Sequence, residues 1–444
     1  MFQIAILSSN PRIVLVCKTL RKGFPGAALA QLISPPHRAG EMMAKGGRAD
    51  LLKVCLESHP LRIKVKKTCT HPIPPKFRAN AINSRALWAA AKAGHADVCR
   101  LLMDPAVAGL AFRARANADN SRALWDAAKA GHASVCKLLM DPAVAGHASR
   151  ARANAVNSRA MFEAARAGHV DVCRLLMDPT TAGHASRARA NAVNSRALWA
   201  AAEAGHADVC KLLMDPVVAG PGFRARANYG DSWALRLAAQ NGHADVCKLL
   251  MDPAVAGIEF RARAKACNSW ALRLAAQNGH ADVCRLLMDP TAAGGPEFRS
   301  WASYGDSWIL CAAAREGHAD VCKLLMAAPG FPARANAANS RALWVAAAAG
   351  HTDVCRLLMD PVVAGGHEFR ARANAVDSRA FCEAAKAGHA DVCRLLMDPV
   401  VAGDEFRARA NAVNSMALCE VAKTGYVEVC KVLMDLVMVE AGRT

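Results

Sequence analysis

A Gly-His dipeptide returns at nearly constant spacing along this 444-residue chain, and that period limits what the chain can fold into. Its glycines are Gly94, Gly131, Gly168, Gly205, Gly242, Gly279, Gly317, Gly350, Gly388 and Gly425, the last followed by Tyr426. Successive steps are 37 residues, apart from two of 38 and one of 33. A weaker copy stands upstream, where Lys45-Gly-Gly-Arg-Ala-Asp50 aligns with Lys92-Ala-Gly-His-Ala-Asp97. A fixed period of this length predicts stacked units, none of which buries its apolar face alone. Residues 36–444 therefore read as one array of about 11 repeats, the first and last atypical, behind a basic segment at 1–35.

Each copy spells helix, tight turn, helix and a long connection. In the copy around Gly94, Ser84 or Asn83 is the expected N-cap, its side chain accepting from first-turn amides. Leu87, Ala90 and Ala91 form one apolar helical face, and Val98, Leu101 and Leu102 repeat that spacing on a second helix. Gly94 suits the positive φ that closes the first helix. Pro105 ends the second by disfavouring helical geometry at Asp104. Neither helix is long enough to hold without its neighbours.

These words resemble ankyrin repeats: Leu87, Ala90-Ala91, Gly94-His95, Val98-Cys99 and Leu101-Leu102-Met103 follow the second half of that family's repeat. The resemblance covers roughly residues 36–440. It implies an all-α, ankyrin-type helical repeat solenoid that presents an extended surface to another protein. The first half departs from the family. Arg85-Ala86-Leu87-Trp88 stands where the family has Thr-Pro-Leu-His, and Asp104-Pro105 opens a longer connection in place of the usual finger. The Arg-Ala-Arg-Ala stretches are expected to retain part of the finger, with the rest irregular.

Ten of the 17 cysteines, from Cys99 to Cys430, occupy one position five residues after the glycine. Stacked helices lie ~8–10 Å apart, too far for a disulfide between equivalent positions. The family has valine there, so these thiols read as core filler in a reducing compartment. His95 and Cys99 share a helical face, but each copy supplies only two ligands, so no metal is expected. The family's Gly-His is structural, which assigns the imidazole to bracing.

Trp88, Trp125, Trp199 and Trp344 sit six residues before the glycine. Trp233, Trp270 and Trp308 sit nine before it, and their six-before position holds Arg236, Arg273 or Cys311. Both positions share one helical face. The six-before tryptophans are either packing between repeats or anchoring a partner on the family's concave surface. Arg113 and Arg115, Arg150 and Arg152, Arg187 and Arg189 recur as pairs in the connections. Two residues apart in extended chain, each pair would point one way, making a ladder for an acidic protein or a phosphate backbone. Intramolecular pairing of that ladder is the plainer alternative.

Charge is graded along the chain. Lys and Arg total 56 against 37 Asp and Glu, and residues 1–80 alone carry 14 against 3. Residues 1–35 suit a targeting segment or a disordered tail. Arg62-Ile-Lys64-Val-Lys66-Lys67 is a weak nuclear-localisation or nucleic-acid signal. No apolar run approaches a membrane span, and no phosphate-binding loop, nucleophile motif or zinc-protease motif occurs. The expected protein is thus non-enzymatic, without cofactor, small-molecule substrate or membrane insertion, and intracellular in cytoplasm or nucleus. The ankyrin resemblance implies a scaffold for protein partners. The alternative is a salt-sensitive binder of nucleic acid or another anionic surface through the basic N-terminal end and the Arg ladder. Near-identical copies, such as residues 150–160 and 187–197, also suit a recent duplication with no dedicated partner.

Overall fold

Each fully described copy folds as two antiparallel helices because Gly94 and its equivalents reverse the chain between two apolar stripes. Gly94 has φ +83° and ψ +13°, the left-handed conformation expected of it. A computed structural model describes residues 4–7, 14–17, 36–50, 79–405, 407–408 and 426–432. The Arg62–Lys67 cluster and most of the basic N-terminal segment lie outside these residues. Within that segment, Ile4–Leu7 pairs antiparallel with Val14–Cys17, Ile4 opposite Cys17 and Leu7 opposite Val14. The described repeats are all-α.

The chain divides into two compact units, residues 1–201 with 212–225, and residues 202–211 with 226–444. In the first unit the first helices Pro36–Lys45, Ala81–Ala93, Ala118–Lys129 and Ala155–Arg166 pack in sequence order. Their partners Ala96–Met103, Ala133–Met140 and Val170–Met177 pack likewise. In the second unit the first helices are Tyr229–Gln240, Ala266–Gln277, Tyr304–Arg315, Ala337–Ala349 and Ala375–Lys386. Their second helices run from Ala244–Met251 to Ala390–Met397. Leu87, Ala90, Ala91, Val98, Cys99, Leu102 and Met103 are fully buried in one copy, and their counterparts recur in the next. Leu101 departs from expectation: it is half-exposed, and Cys99 and Met103 fill the face assigned to it.

The connections are neither a finger nor irregular, and no strand forms in the described ones. Asp104 is extended at φ −70°, ψ 118°, and its carboxylate accepts from the Ala106 amide at 2.8 Å. With Pro105 at the first helical position it starts a one-turn helix, Pro105–Ala108, whose counterpart Pro142–Ala145 packs on Ala96–Met103 of the preceding copy. Ala114 then donates to Leu102 O at 2.8 Å, tying the extended stretch to the second helix. The 33-residue step lacks the one-turn helix between Met326 and Phe331.

The first helices open unexpectedly. Asp119, Asn120 and Ser121 have φ of 48–64°, as do Val156, Asn157 and Ser158, so a left-handed turn precedes each right-handed helix. The cap foreseen at Ser84 acts between copies instead. Its Oγ accepts from the Arg115 amide at 3.0 Å, and Ser121 does the same for Arg152.

Candidate interaction face

The two positions nine and six residues before each glycine lie one turn apart on the first helix, facing away from the second. In the first unit the outer of these, nine before, holds arginine and the inner, six before, holds an aromatic ring. The guanidinium of one copy lies over the ring of the copy before it. Arg122 covers Trp88 at 4.2 Å, Arg159 covers Trp125 at 4.3 Å, and Arg196 covers Phe162 at 4.6 Å. Such a stack contributes about 0.5–2 kcal/mol as burial increases. Trp88 and Trp125 are consequently half-buried, as is Trp199, and the Trp125 indole donates to Asn120 O at 3.0 Å. Trp344 in the second unit is also half-buried, beneath Arg379 at 4.1 Å.

Two copies of the second unit exchange the two residues. Trp233 and Trp270 take the outer position and Arg236 and Arg273 the inner; Trp308 is outer over Cys311. Arg236 lies 4.3 Å from the Trp233 ring, and Arg273 lies between Trp270 at 4.8 Å and Trp308 at 5.0 Å. These three indoles remain 40%, 41% and 51% exposed. Tyr304, four residues before Trp308, and Trp301, stacked on Phe331 at 5.0 Å, are exposed beside them. The best-presented rings are therefore not the six-before set. For Trp233 and Trp270 the signal is the Arg at the six-before position, since aromatic and cation trade places; Trp308 has Cys311 there instead.

The arginine pairs divide in the same way. Ala114 and Ala116 take the inner side of the extended segment, so Arg113 and Arg115 share the outer side as expected. In later copies both arginines of a pair also lie over one ring, Arg187 and Arg189 at 4.7 and 5.0 Å from Phe223. Arg113 reaches into the next copy's loop, where a Cβ on Gly146 would come within 2.8 Å of it, and Arg150 and Arg187 do the same at Gly183 and Gly220. In the second unit Arg261, only 7% exposed, donates to Ala293 O at 2.9 Å and Gly294 O at 3.2 Å. The first arginine of each pair thus braces adjacent copies. Arg115, Arg152 and Arg189 stay exposed. Arg189 also lines a recess of about 280 Å³ with Arg159, Phe162, Val193 and Arg196, the one place where ladder and aromatic face meet among the described recesses.

The histidines brace the first helices. His132 Nε2 lies 3.2 Å from Lys92 O, His169 3.1 Å from Lys129 O, and His280 2.9 Å from Gln240 O. Asn117 and Asn154 hook the following connection, their side-chain amides donating to Ala148 O and Ala185 O. Nine of the ten repeated cysteines are buried and Cys430 is half-buried; burial pushes the Cys136, Cys173 and Cys247 thiols up to about 12. Among the described residues no three His, Cys, Asp or Glu converge as metal ligands. No described helix is long and apolar enough to cross a membrane.

Residues 42–149 match the family model for ankyrin repeats, in three copies. No curated protein matches the chain. The helix, glycine turn and helix of the matched residues continue in register to Met397. Residues 42–149 of the chain are ankyrin repeats.

Proposed function

We propose that the array is a non-enzymatic scaffold that binds protein partners through its first-helix face. Ankyrin repeats are in general protein-interaction modules, which supports the class of function. The observation that carries the reading is the row Trp233, Trp270 and Trp308. Three large rings are held 40–51% open to solvent at equivalent positions of adjacent helices. Exposed aromatic area held by neighbouring cations is the composition of interface anchors. Trp344 offers a half-buried secondary contact in the same unit. Within the first unit, half-buried Trp88, Trp125 and Trp199 offer secondary contacts with exposed Arg115, Arg152 and Arg189 as charged groups, while Arg113, Arg150 and Arg187 hold its copies together. The buried, unpaired thiols suit a reducing compartment.

Affinity capture with the full chain tests this at about 0.15 M and about 0.5 M salt, with and without nuclease. A discrete set of proteins that survives both treatments, and is lost on Trp270→Ala, supports the scaffold. Recovery that vanishes with salt or nuclease would replace it with anion binding.

A further inference from the structure

The outer indoles are spaced by the fold itself. Trp233, Trp270 and Trp308 stand on successive first helices that pack side by side, Tyr229–Gln240 on Ala266–Gln277 and that on Tyr304–Arg315. Packed helices lie ~8–10 Å apart, so the rings repeat at about that interval. A polyproline II segment rises about 3.1 Å per residue with three residues per turn, hence about 9 Å per turn. One proline ring per turn can therefore meet one indole per repeat. No other regular peptide conformation matches: a strand repeats each face every ~7 Å and a helix every ~5 Å.

The charge between the rings narrows the partner further. Arg273 is half-buried between Trp270 and Trp308, its Nε buried with no hydrogen-bond partner. Among the described residues no carboxylate pairs with its guanidinium. An acidic residue between two prolines would pair with its terminal guanidinium nitrogens, which are not buried. A polyanion does not fit as well. Residues 226–316 carry ten Lys and Arg against nine Asp and Glu, so this stretch offers almost no net field to a phosphate backbone.

We propose that Trp233, Trp270 and Trp308, with Arg273 between them, form a docking groove for an acidic, proline-rich protein segment in the polyproline II conformation. The proposal rests on the scaffold reading and gives it a partner chemistry. Each indole takes a proline face, a preformed ligand that loses little entropy on docking. Arg273 selects the intervening carboxylate.

The test uses the full chain and a fluorescent peptide of repeating Pro-Ala-Glu, about 12 residues long. An Ala-Ala-Glu peptide of the same length keeps the charge without the prolines, and oligothymidylate serves as the polyanion. Fluorescence anisotropy should show the proline peptide binding at least about tenfold more tightly than its alanine counterpart. Trp270→Ala and Arg273→Gln should each weaken it by about tenfold, while Leu110→Ser, on an exposed connection, leaves it unchanged. Circular dichroism of each variant separates lost binding from lost folding, and Arg273→Gln keeps the site intact if Trp270→Ala does not. Equal binding of both peptides overturns the proposal, as does preferential binding of oligothymidylate or insensitivity to both variants. Should Trp270→Ala abolish cellular protein capture while the proline peptide never binds, the scaffold stands and this assignment of its partner falls.

Discussion

Copies around Trp88 and Trp125 and copies around Trp233 and Trp270 use the same helix, the same glycine turn and the same two surface positions, yet present opposite surfaces. With arginine outside and tryptophan inside, the next copy's guanidinium closes over the ring, and the indole becomes part of the packing. With the two exchanged, arginine lies beneath and the ring is left open. One pairwise exchange decides whether an aromatic side chain stabilises the stack or is offered to a partner.

The frame common to both regions should respond equally to perturbation, and its thiols give the largest effect. Burial holds Cys136 and Cys247 near 12 from an ordinary 9.0. At about pH 8 their alkylation should be roughly a thousandfold slower in the folded chain than in the unfolded one, whereas exposed Cys267 is labelled well before both. The folded state keeps these protons while the unfolded state loses them. The stabilisation is therefore complete below about pH 9 and lost as pH rises toward about 12. A difference between Cys136 and Cys247 in mass-spectrometric labelling would show that the two frames are not equivalent.

Next in size is the glycine turn. Gly131 has φ +80°, and a Cβ there would come 2.7 Å from His169 Cε1; at Gly242 it would come 2.6 Å from His280 Nδ1. Gly131→Ala and Gly242→Ala should each cost about 2–4 kcal/mol in urea unfolding, combining left-handed strain with the clash. The aromatic exchange should then separate the regions. Trp125→Ala is expected to cost about 2 kcal/mol and Trp270→Ala under about 1, because only the former is roofed by its neighbour. Equal costs would dissolve the distinction between inner and outer rings. The smallest effect tests the left-handed turn. Val156, with φ +48°, stands where two copies have Gly230 and Gly305. Val156→Asn should gain about 0.5–1 kcal/mol, since asparagine adopts that conformation more readily than a β-branched residue.

Features set within one copy were readable from the chain. Gly94 at positive φ, the extended Asp104 before Pro105, and Cys99 in the core all follow from residues a few positions apart. The one-turn helix at Pro105 also had a local sign, Asp as N-cap and Pro at the first position, hidden by expecting that part of the connection to be irregular. What was not readable depends on pairs a full repeat apart. Arg122 closes over Trp88, Arg113 tucks against Gly146, and Ser84 caps the Arg115 amide across 31 residues. A pattern read within one repeat makes each of these side chains look free. The left-handed turn at Val156 runs against its residue preference, and tertiary contacts such as the Ser158 Oγ bond to the Arg189 amide hold it.

The most direct test exchanges the two positions in one copy, Trp270→Arg with Arg273→Trp, which restores the order of the first unit. Unfolding and partner capture are measured together on this double variant. Stability should stay within about 1 kcal/mol of the parent while capture is lost, since composition is kept and only presentation changes. Undiminished capture by the well-folded variant would contradict the claim that the outer indoles are the binding surface.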